Sequence, residues 1–367
     1  MRRCRAGEAN VTQSPATYRA IRISGPGGLD RLEEVRLPLL DPGPGEVRVR
    51  VIAAGAGATD LTMRRGRYPF APRFPFVPGY EVLGIVDAVG TGVTRFALGQ
   101  KVTALTVHGA FAEYLVRAAG HFVPVPAGLD DAETVTLVLN YGTAWQMIHR
   151  VAKLRAGHTA LVTGANGGVG TALLDLLRDA KVRALGACSS EHADLVRSLG
   201  SEPIPSRGAP LDRTVRSVLP EGVNAAFDIL GGAGTGECVR ATKRGGVVVG
   251  YGFMGTVVNG RQSRWLTLRG VASLLVGARL RGRRGVFYGI TLRYRRDPGP
   301  YREDLAALLA LLASRRIAPR IAHRLPLLAV RRSQELLEAG GVAGKLVLLR
   351  EAGLDGGSER LRREFGA

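Results

Sequence analysis

The sequence predicts an α/β fold in which a β-rich domain is followed by a doubly wound domain with a parallel sheet. A glycine loop lies in the middle of the chain between a strand-like and a helix-like run, and further strand signals follow it at the spacing of βαβ units. The residues before it alternate apolar and charged side chains with a period of two, as half-exposed antiparallel strands do. The length of 367 residues suits two domains.

The glycine loop is the segment Val162-Thr-Gly-Ala-Asn-Gly-Gly-Val-Gly170. The run before it, 159–163, is short and β-prone, and the run 169–180 repeats leucine at helical spacing. Three glycines at this spacing allow a tight turn, close approach of the backbone to a pyrophosphate, and close packing of helix on strand. The anion would lie on the exposed N–H groups at the start of the helix. The predicted cofactor contacts are Gly164, Ala165, Asn166, Gly167, Gly168, Val169 and Gly170.

Three short apolar runs after the glycine loop predict further parallel strands. They cover residues 182–187, 225–230 and 247–251, and each is followed by Gly, Ser or charged residues. Strands that alternate with helices in this way form a doubly wound sheet, which binds its ligand at the carboxyl ends of the strands. The predicted cofactor contacts at one such end are Gly250, Tyr251 and Phe253.

The first part of the chain differs in kind from a parallel sheet. Glu46-Val-Arg-Val-Arg-Val51 alternates apolar and charged residues and follows the turn-rich segment 41–45. Further strand-like runs with Gly punctuation cover residues 81–89, 101–107 and 111–116. After residue 300 a helical leucine repeat leads to a last strand-like run, 344–349. These patterns predict a β-rich domain of about 120 residues and a C-terminal segment that ends in a strand.

This order of segments resembles the medium-chain dehydrogenase/reductase superfamily, specifically its zinc-free branch of quinone reductases of the zeta-crystallin type. The resemblance runs from about Tyr18 to Arg350. Besides the glycine loop, it is carried by Ala54-Gly-Ala-Gly-Ala-Thr-Asp60, Arg64-Arg-Gly-Arg-Tyr-Pro69, Pro78-Gly-Tyr-Glu81, Gly109-Ala-Phe-Ala-Glu-Tyr114, Thr143-Ala-Trp145 and Gly344-Lys345.

The resemblance implies a domain organisation and an assembly. It implies a GroES-like catalytic domain over 18–139 and 301–351, a Rossmann cofactor domain over 140–300, and a homodimer. Residues 1–17 and 352–367 are polar or rich in Gly and charge, and they are predicted to be flexible tails.

The chain departs from the zinc-dependent members of the superfamily. Those members carry a Cys in the loop that spans 54–60 here, and a His at the position of Tyr80. Both ligands are missing, and Cys4, Cys188 and Cys238 are too widely separated for a structural zinc site. No metal site is therefore predicted. Without a Lewis acid simple alcohol oxidation is disfavoured, and the expected substrates are quinones or α,β-unsaturated carbonyls, whose own carbonyl accepts the charge.

The end of the second predicted parallel strand bears on which nicotinamide cofactor is used. A site that prefers NAD would place Asp or Glu about 20 residues past the glycine loop. Ser189 and Ser190 stand there instead and could donate to a 2′-phosphate, and His192 or Arg207 could add positive charge. NADPH is therefore the predicted cofactor. Two points stay open: Glu191 is acidic, although it could cap the next helix, and the Ser pair could be no more than a helix N-cap.

Two tyrosines are the candidates for the reaction. By the resemblance, Tyr80 takes the place of the zinc-binding His, faces the cleft, and could donate a proton or a hydrogen bond to the substrate oxygen. It could equally fill the space of the missing metal. Tyr68 lies in the segment that borders the active site of similar enzymes. Asn140 and Thr143 lie where the chain crosses between the domains, which is a usual place for nicotinamide contacts.

The charge pattern raises the question of partners. The formal net charge is +20, but no helix-turn-helix, zinc-finger or RNA-recognition signature accompanies it, so nucleic-acid binding is not predicted. Residues 261–296 hold ten Arg and no Asp or Glu. Three explanations are open: a solvated Arg-rich face, an anionic partner such as a membrane surface or an acidic carrier protein, and a pocket for an acidic substrate. Three unpatterned Cys, no signal peptide and no long apolar run predict a cytoplasmic protein.

The predicted function is the NADPH-dependent reduction of a quinone or an enone, including enoyl groups of biosynthetic intermediates. The alternative is a binding or membrane-associated protein that has kept the reductase fold, since fold does not fix function. The intact glycine loop favours the enzyme.

Overall fold

The computed structural model describes residues 16–258 and 261–350. The predicted tails lie outside the described residues except for Ala16 and Thr17, and Thr17 already begins the first strand. The strands are β1 (Thr17–Ile23), β2 (Leu32–Pro38), β3 (Glu46–Ala56), β4 (Glu81–Val89), β5 (Lys101–Leu105), β6 (Tyr114–Ala118), β7 (Val123–Pro124), β8 (Thr159–Thr163), β9 (Arg183–Cys188), β10 (Glu202–Pro205), β11 (Val223–Asp228), β12 (Thr242–Gly250), β13 (Val257–Val258), β14 (Arg261–Gln262), β15 (Arg284–Phe287), β16 (Ile321–Pro326) and β17 (Lys345–Leu349).

Most of the α-helices are short. They are α1 (Ala58–Arg64), α2 (Asp131–Thr136), α3 (Gly142–Trp145), α4 (Gly168–Asp179), α5 (Ala193–Ser198), α6 (Leu211–Val218), α7 (Gly232–Ala241), α8 (Arg264–Ala272), α9 (Ala278–Leu280), α10 (Ile290–Arg296), α11 (Gly299–Ala313) and α12 (Val330–Ala339). Wider π-helical turns at 137–141 and 146–152 join α2 and α3 into one helical run that ends at Ala152, and a third at 273–277 joins α8 to α9.

Six parallel strands form the doubly wound sheet that the sequence predicts, in the order β10-β9-β8-β11-β12-β15. The bounds of β8 are those predicted, and β9 is displaced by one residue. β12 begins at Thr242, five residues before the predicted start, because its first residues are polar or Gly and give no apolar run. The strand order reverses at β8, and such a switch point is where these sheets bind ligands.

The β-rich part forms a second sheet of seven strands, in the order β16-β17-β3-β4-β5-β7, with β6 also paired to β3. β4 has the predicted bounds. The last predicted strand, β17, pairs antiparallel with β3, so that Leu346 lies opposite Ala56. β16 was not predicted from the sequence. The C-terminal strands therefore return to the sheet that β3 begins, and the prediction of an α/β fold with a β-rich part and a doubly wound parallel sheet is confirmed.

Candidate cofactor and catalytic site

The glycine loop connects β8 to α4 and leaves no room for side chains at its key positions. Gly164 has a φ of 62°, a left-handed conformation that favours Gly. A Cβ atom built on Gly170 would lie 2.1 Å from the carbonyl oxygen of Gly164. The cap residue of α4 is Gly167, and no side chain caps this end of the helix. The start of α4 is therefore a bare helix N-terminus, which attracts anions such as a pyrophosphate.

Asn140 provides an independent sign that a polar ligand belongs beside this loop. The side chain is buried, and its amide Nδ2 has no hydrogen-bond partner within residues 16–258 and 261–350. A Cβ atom on Gly168 would lie 2.5 Å from this nitrogen, so the amide stands directly against the loop. A buried donor without a partner is unfavourable unless a ligand accepts from it. The loop and Asn140 thus fit a dinucleotide, and Thr143 lies buried one turn further along the same helical run.

Of the predicted contacts to a 2′-phosphate, Ser189 is bonded to its own neighbours, whereas Arg207 is unengaged among the described residues. The Ser189 hydroxyl lies 3.0 Å from Glu191 Oε1 and 2.9 Å from His192 Nδ1, so it is engaged by its own neighbours. Ser189 is the N-cap residue of the short 3-10 turn at 190–192, although its hydroxyl makes no cap hydrogen bond. Arg207 follows β10, is exposed, and has no hydrogen-bond or ion-pair partner in the part of the chain that the structure describes.

The predicted cofactor contacts Gly250, Tyr251 and Phe253 lie at the end of β12 and in the turn that follows it. Gly250 ends this strand, and the ring of Phe253 stacks on that of Phe287 at 5.3 Å between centroids. The turn is held by Asp228 at the carboxyl end of β11, whose main-chain oxygen accepts from the Tyr251 N–H. The buried carboxylate of Asp228 also accepts from the N–H of Leu230 at 2.9 Å. No sequence signal pointed to this anchor, because Asp228 lies inside the predicted apolar run 225–230.

A cluster of three hydroxyl groups joins the two predicted catalytic residues to one that the sequence did not suggest. The Tyr68 hydroxyl lies 2.7 Å from that of Tyr80 and 2.7 Å from Thr291 Oγ1, and Tyr80 is also hydrogen-bonded to Thr291. Thr291 belongs to α10, which follows the edge strand of the parallel sheet. We call these three residues the hydroxyl cluster. It joins Tyr80, which directly precedes β4 of the seven-stranded sheet, to Thr291 on the helix after β15, and these two residues are 211 positions apart in sequence.

Burial sets the protonation of the cluster. Tyr80 is 2% exposed, and burial raises its pKa far above the usual value of a phenol; burial also raises the pKa of Tyr68. Both phenols therefore stay neutral over the physiological pH range. A neutral phenol is a hydrogen-bond donor, and this arrangement can stabilise a negative charge that develops on a substrate oxygen.

Glu81 links the hydroxyl cluster to the glycine loop. Glu81 follows Tyr80 in the chain, is fully buried, and forms an ion pair with Lys345. Its other oxygen accepts from the Leu139 N–H at 2.8 Å, next to Asn140. Gly344, the neighbour of Lys345, donates its N–H to the carbonyl oxygen of Asn166 in the glycine loop at 3.0 Å. One buried ion pair thus connects the residue after Tyr80 to the residue after Gly344, which is bonded to the glycine loop.

Asp60 is a second buried carboxylate in this region. Its Oδ2 accepts from the Gly57 N–H at 2.9 Å, while Oδ1 has no partner among the residues described. Burial raises the pKa of Asp60 to about 7, although the ammonium of Lys345 acts in the opposite direction. The carboxyl group therefore keeps its proton to a higher pH than an exposed Asp does.

The raised pKa of Asp60 predicts a pH-dependent stability. A group whose pKa is higher in the folded state binds its proton more tightly there. The stability that the protonated Asp60 carboxyl contributes is therefore complete below pH 4, and it is lost as the pH rises to about 7. Asp60→Asn keeps an oxygen to accept from Gly57 and cannot ionise. We expect this variant to be more stable than the wild type at pH 8 by about 2 to 4 kcal/mol, and by much less at pH 5.

Urea unfolding at the two pH values measures this difference. The matched control is Asp194→Asn, because the side chain of Asp194 is 97% exposed. If wild type and Asp60→Asn differ in free energy of unfolding by the same amount at pH 5 and pH 8, the pKa of Asp60 is not raised by burial.

A β-rich sheet combined with a doubly wound sheet that carries a dinucleotide loop, with the hydroxyl cluster linking residues next to each, defines the class of two-domain dehydrogenases and reductases. Comparison with known proteins agrees. The family model of the alcohol dehydrogenase GroES-like domain matches residues 43–127, and that of the zinc-binding dehydrogenase matches residues 201–348.

Individual relatives narrow the class to a family. The quinone oxidoreductase of Lama guanicoe is 30% identical over 340 residues, which cover 90% of this chain and 97% of the relative. The human synaptic vesicle membrane protein VAT-1 homolog-like is 31% identical over 246 residues, 67% of this chain and 58% of the relative, so the chain spans about three fifths of that protein. The solved structure of a mycobacterial protein complexed with NADPH superposes with a TM-score of 0.78 at 25% identity, covering 90% of this chain and 99% of that one. The chain belongs to the medium-chain dehydrogenase/reductase superfamily, in its quinone oxidoreductase branch.

Zinc, which the name of the second family model suggests, does not fit the residues of this chain. The resemblance to zinc-dependent members implies that Tyr80 takes the place of their His ligand. In the described part of the chain no three His, Cys, Asp or Glu side chains come together in a way that could hold a metal ion. Cys188 and Cys238 are each buried and unpaired. We therefore derive no chemical step through a metal.

Proposed function

We propose that the protein is a zinc-independent reductase that uses NADPH to reduce a quinone or an α,β-unsaturated carbonyl compound. The observation that supports this most directly is the hydroxyl cluster of neutral donors, connected to the glycine loop through the Glu81–Lys345 pair. An enone or quinone needs no Lewis acid, because its conjugated carbonyl oxygen takes up the developing charge. A hydrogen-bond donor at that oxygen is sufficient.

Each group of residues has its own role in the proposed reaction. The glycine loop and Asn140 hold the cofactor, which supplies a hydride when bound. Tyr80 donates a hydrogen bond to the substrate oxygen, and its raised pKa makes complete transfer of its proton unfavourable. Tyr68 and Thr291 keep the Tyr80 hydroxyl oriented, and substrate replaces one of their contacts. The anion formed by hydride addition takes its proton from water before the product leaves, because burial makes both phenols poor proton donors.

An assay of NADPH oxidation with a panel of quinones and enones tests this function. We expect turnover of at least one acceptor, retained in the presence of a chelator, with no stoichiometric zinc by elemental analysis. Binding of NADPH without turnover across the panel would favour a protein that has kept only the fold. About one zinc per chain, lost together with activity, would overturn zinc independence.

The preference for NADPH is expected to depend on Arg207. A charge-assisted hydrogen bond contributes roughly 1.5 to 3 kcal/mol, which corresponds to about 10- to 150-fold in affinity. Arg207→Ala should weaken NADPH binding by such a factor and leave NADH binding nearly unchanged. Arg213→Ala is the control, because Arg213 is also exposed on the same part of the chain. Isothermal titration with both cofactors measures the change, and equal losses for NADPH and NADH would assign Arg207 a merely structural role.

We also propose that the protein is a homodimer. β15 forms one edge of the parallel sheet, and its outer side pairs with no other strand of the described residues. An open edge of this kind is suited to pairing with a second copy. Sedimentation equilibrium distinguishes a dimer from a monomer.

A further inference from the structure

Exposed apolar side chains are concentrated in one segment of this protein. Of the eleven large hydrophobic residues that are exposed in the described structure, eight lie between Met254 and Leu292. Five of them belong to the helical run from Arg264 to Leu280, and Trp265 is 70% exposed. A water-soluble surface rarely carries so many exposed apolar groups in one place unless something covers them.

These five side chains share one face of the helical run. Leu274 and Ala278 are buried on the opposite face, which packs on the parallel sheet. Residues three, four or seven apart lie on the same side of a helix. We call the exposed side the outer face, and its apolar members are Trp265, Leu268, Leu275, Val276 and Leu280. The run of 17 residues is about 25 Å long, enough to lie along a surface.

Positive charge borders the outer face. Arg264, Arg269 and Arg279 are exposed on this run, and none of them has a carboxylate or carbonyl partner among the residues that the structure describes. Two arginines further on behave differently: Arg283 donates to the carbonyl oxygen of Thr242, and Arg284 is also bonded to a main-chain carbonyl. The first three are therefore free to meet a partner, whereas the other two support the strand edge.

The charge pattern selects among possible occupants of the outer face. A second copy that met it about a two-fold axis would bring the same arginines together, and residues 261–296 contain no Asp or Glu to separate them. An anionic lipid surface offers phosphate groups to the arginines and a hydrocarbon boundary to the apolar side chains. We propose that the outer face docks this protein peripherally on anionic bilayers. The helical run lies in the plane of the interface, and no helix of the described residues has the length and apolar character to cross a membrane. This proposal does not depend on the reductase activity.

Co-flotation with vesicles of phosphatidylcholine, with and without phosphatidylglycerol, tests the proposal. We expect binding to the anionic vesicles at low salt, little binding to neutral ones, and loss of binding at high salt. Trp265 should report contact directly through a blue shift of its fluorescence. Trp145, the other tryptophan, donates to Asp304 inside the fold and serves as an internal reference.

Two variants separate the charged from the apolar contribution. Each basic residue near an anionic surface contributes roughly fivefold to binding, so the triple change of Arg264, Arg269 and Arg279 to Ser should weaken binding by about 100-fold. Leu268→Ser with Leu280→Ser should weaken it by at least about tenfold even at low salt. The matched control is Leu40→Ser with Leu98→Ser, because these leucines are similarly exposed elsewhere on the molecule. Melting temperatures check that every variant is folded.

Other outcomes would overturn the proposal. If the wild type and both outer-face variants bind anionic vesicles equally, the outer face is an ordinary solvated surface. Dissociation of a dimer by Leu268→Ser with Leu280→Ser, without vesicle binding by the wild type, would assign the face to a second copy. Salt-sensitive capture by an acidic carrier protein but not by vesicles would assign it to a protein partner.

Discussion

Tyr80→Phe is expected to reduce turnover of the best quinone or enone substrate by about 100- to 1,000-fold, because removal of one oxyanion hydrogen-bond donor has effects of that size. The substitution keeps the buried ring and removes only the hydroxyl group that Tyr68 and Thr291 hold. Cofactor affinity should change little, since Tyr80 is not part of the glycine loop. Steady-state kinetics together with NADPH binding measure both quantities.

The other members of the hydroxyl cluster provide matched controls. Thr291→Val keeps the shape of the side chain and leaves Tyr80 without one partner, so we expect a smaller loss of turnover, about 10-fold, with rescue by Thr291→Ser. Tyr68→Phe removes the hydrogen bond between the Tyr68 and Tyr80 hydroxyl groups and should likewise cause a smaller loss of turnover than Tyr80→Phe. If Tyr80→Phe keeps turnover within about twofold, Tyr80 only fills space, and the oxygen must be stabilised by another group.

Lys345→Met is expected to produce the largest loss of stability, about 3 to 5 kcal/mol, because it leaves the buried carboxylate of Glu81 without its partner. Burial already raises the pKa of Glu81. Without the ammonium group the carboxyl would prefer its protonated form still more strongly. The loss should therefore be greater at pH 8 than at pH 5, and chemical unfolding at the two pH values measures it.

A double variant shows whether the pair acts as a unit. Glu81→Gln in the Lys345→Met background removes the unpaired charge and keeps an oxygen for the Leu139 N–H, so it should recover much of the lost stability. Additive losses in the double variant would show that the two side chains contribute independently. Lys153→Met is the control for loss of an exposed lysine.

Much of the fold could be predicted because the signals are local. β8 and β4 have the predicted bounds, since each is a continuous or alternating apolar run closed by Gly or a polar residue. The glycine loop was recognisable because its three glycines stand between a strand and a helix. β16 and the first residues of β12 were missed, because polar residues within them interrupt the apolar pattern on which such predictions depend.

The sequence by itself determined the kind of domains and the glycine loop, because each is a property of neighbouring residues. The loss of the zinc ligands stays a prediction that rests on the resemblance to zinc-dependent members of the superfamily. Only the tertiary structure decided that Thr291 joins Tyr80 and that Lys345 neutralises Glu81. Contacts between residues more than 200 positions apart leave no periodicity in a single sequence. They depend on how two sheets pack, and burial then determines which polar groups must find partners.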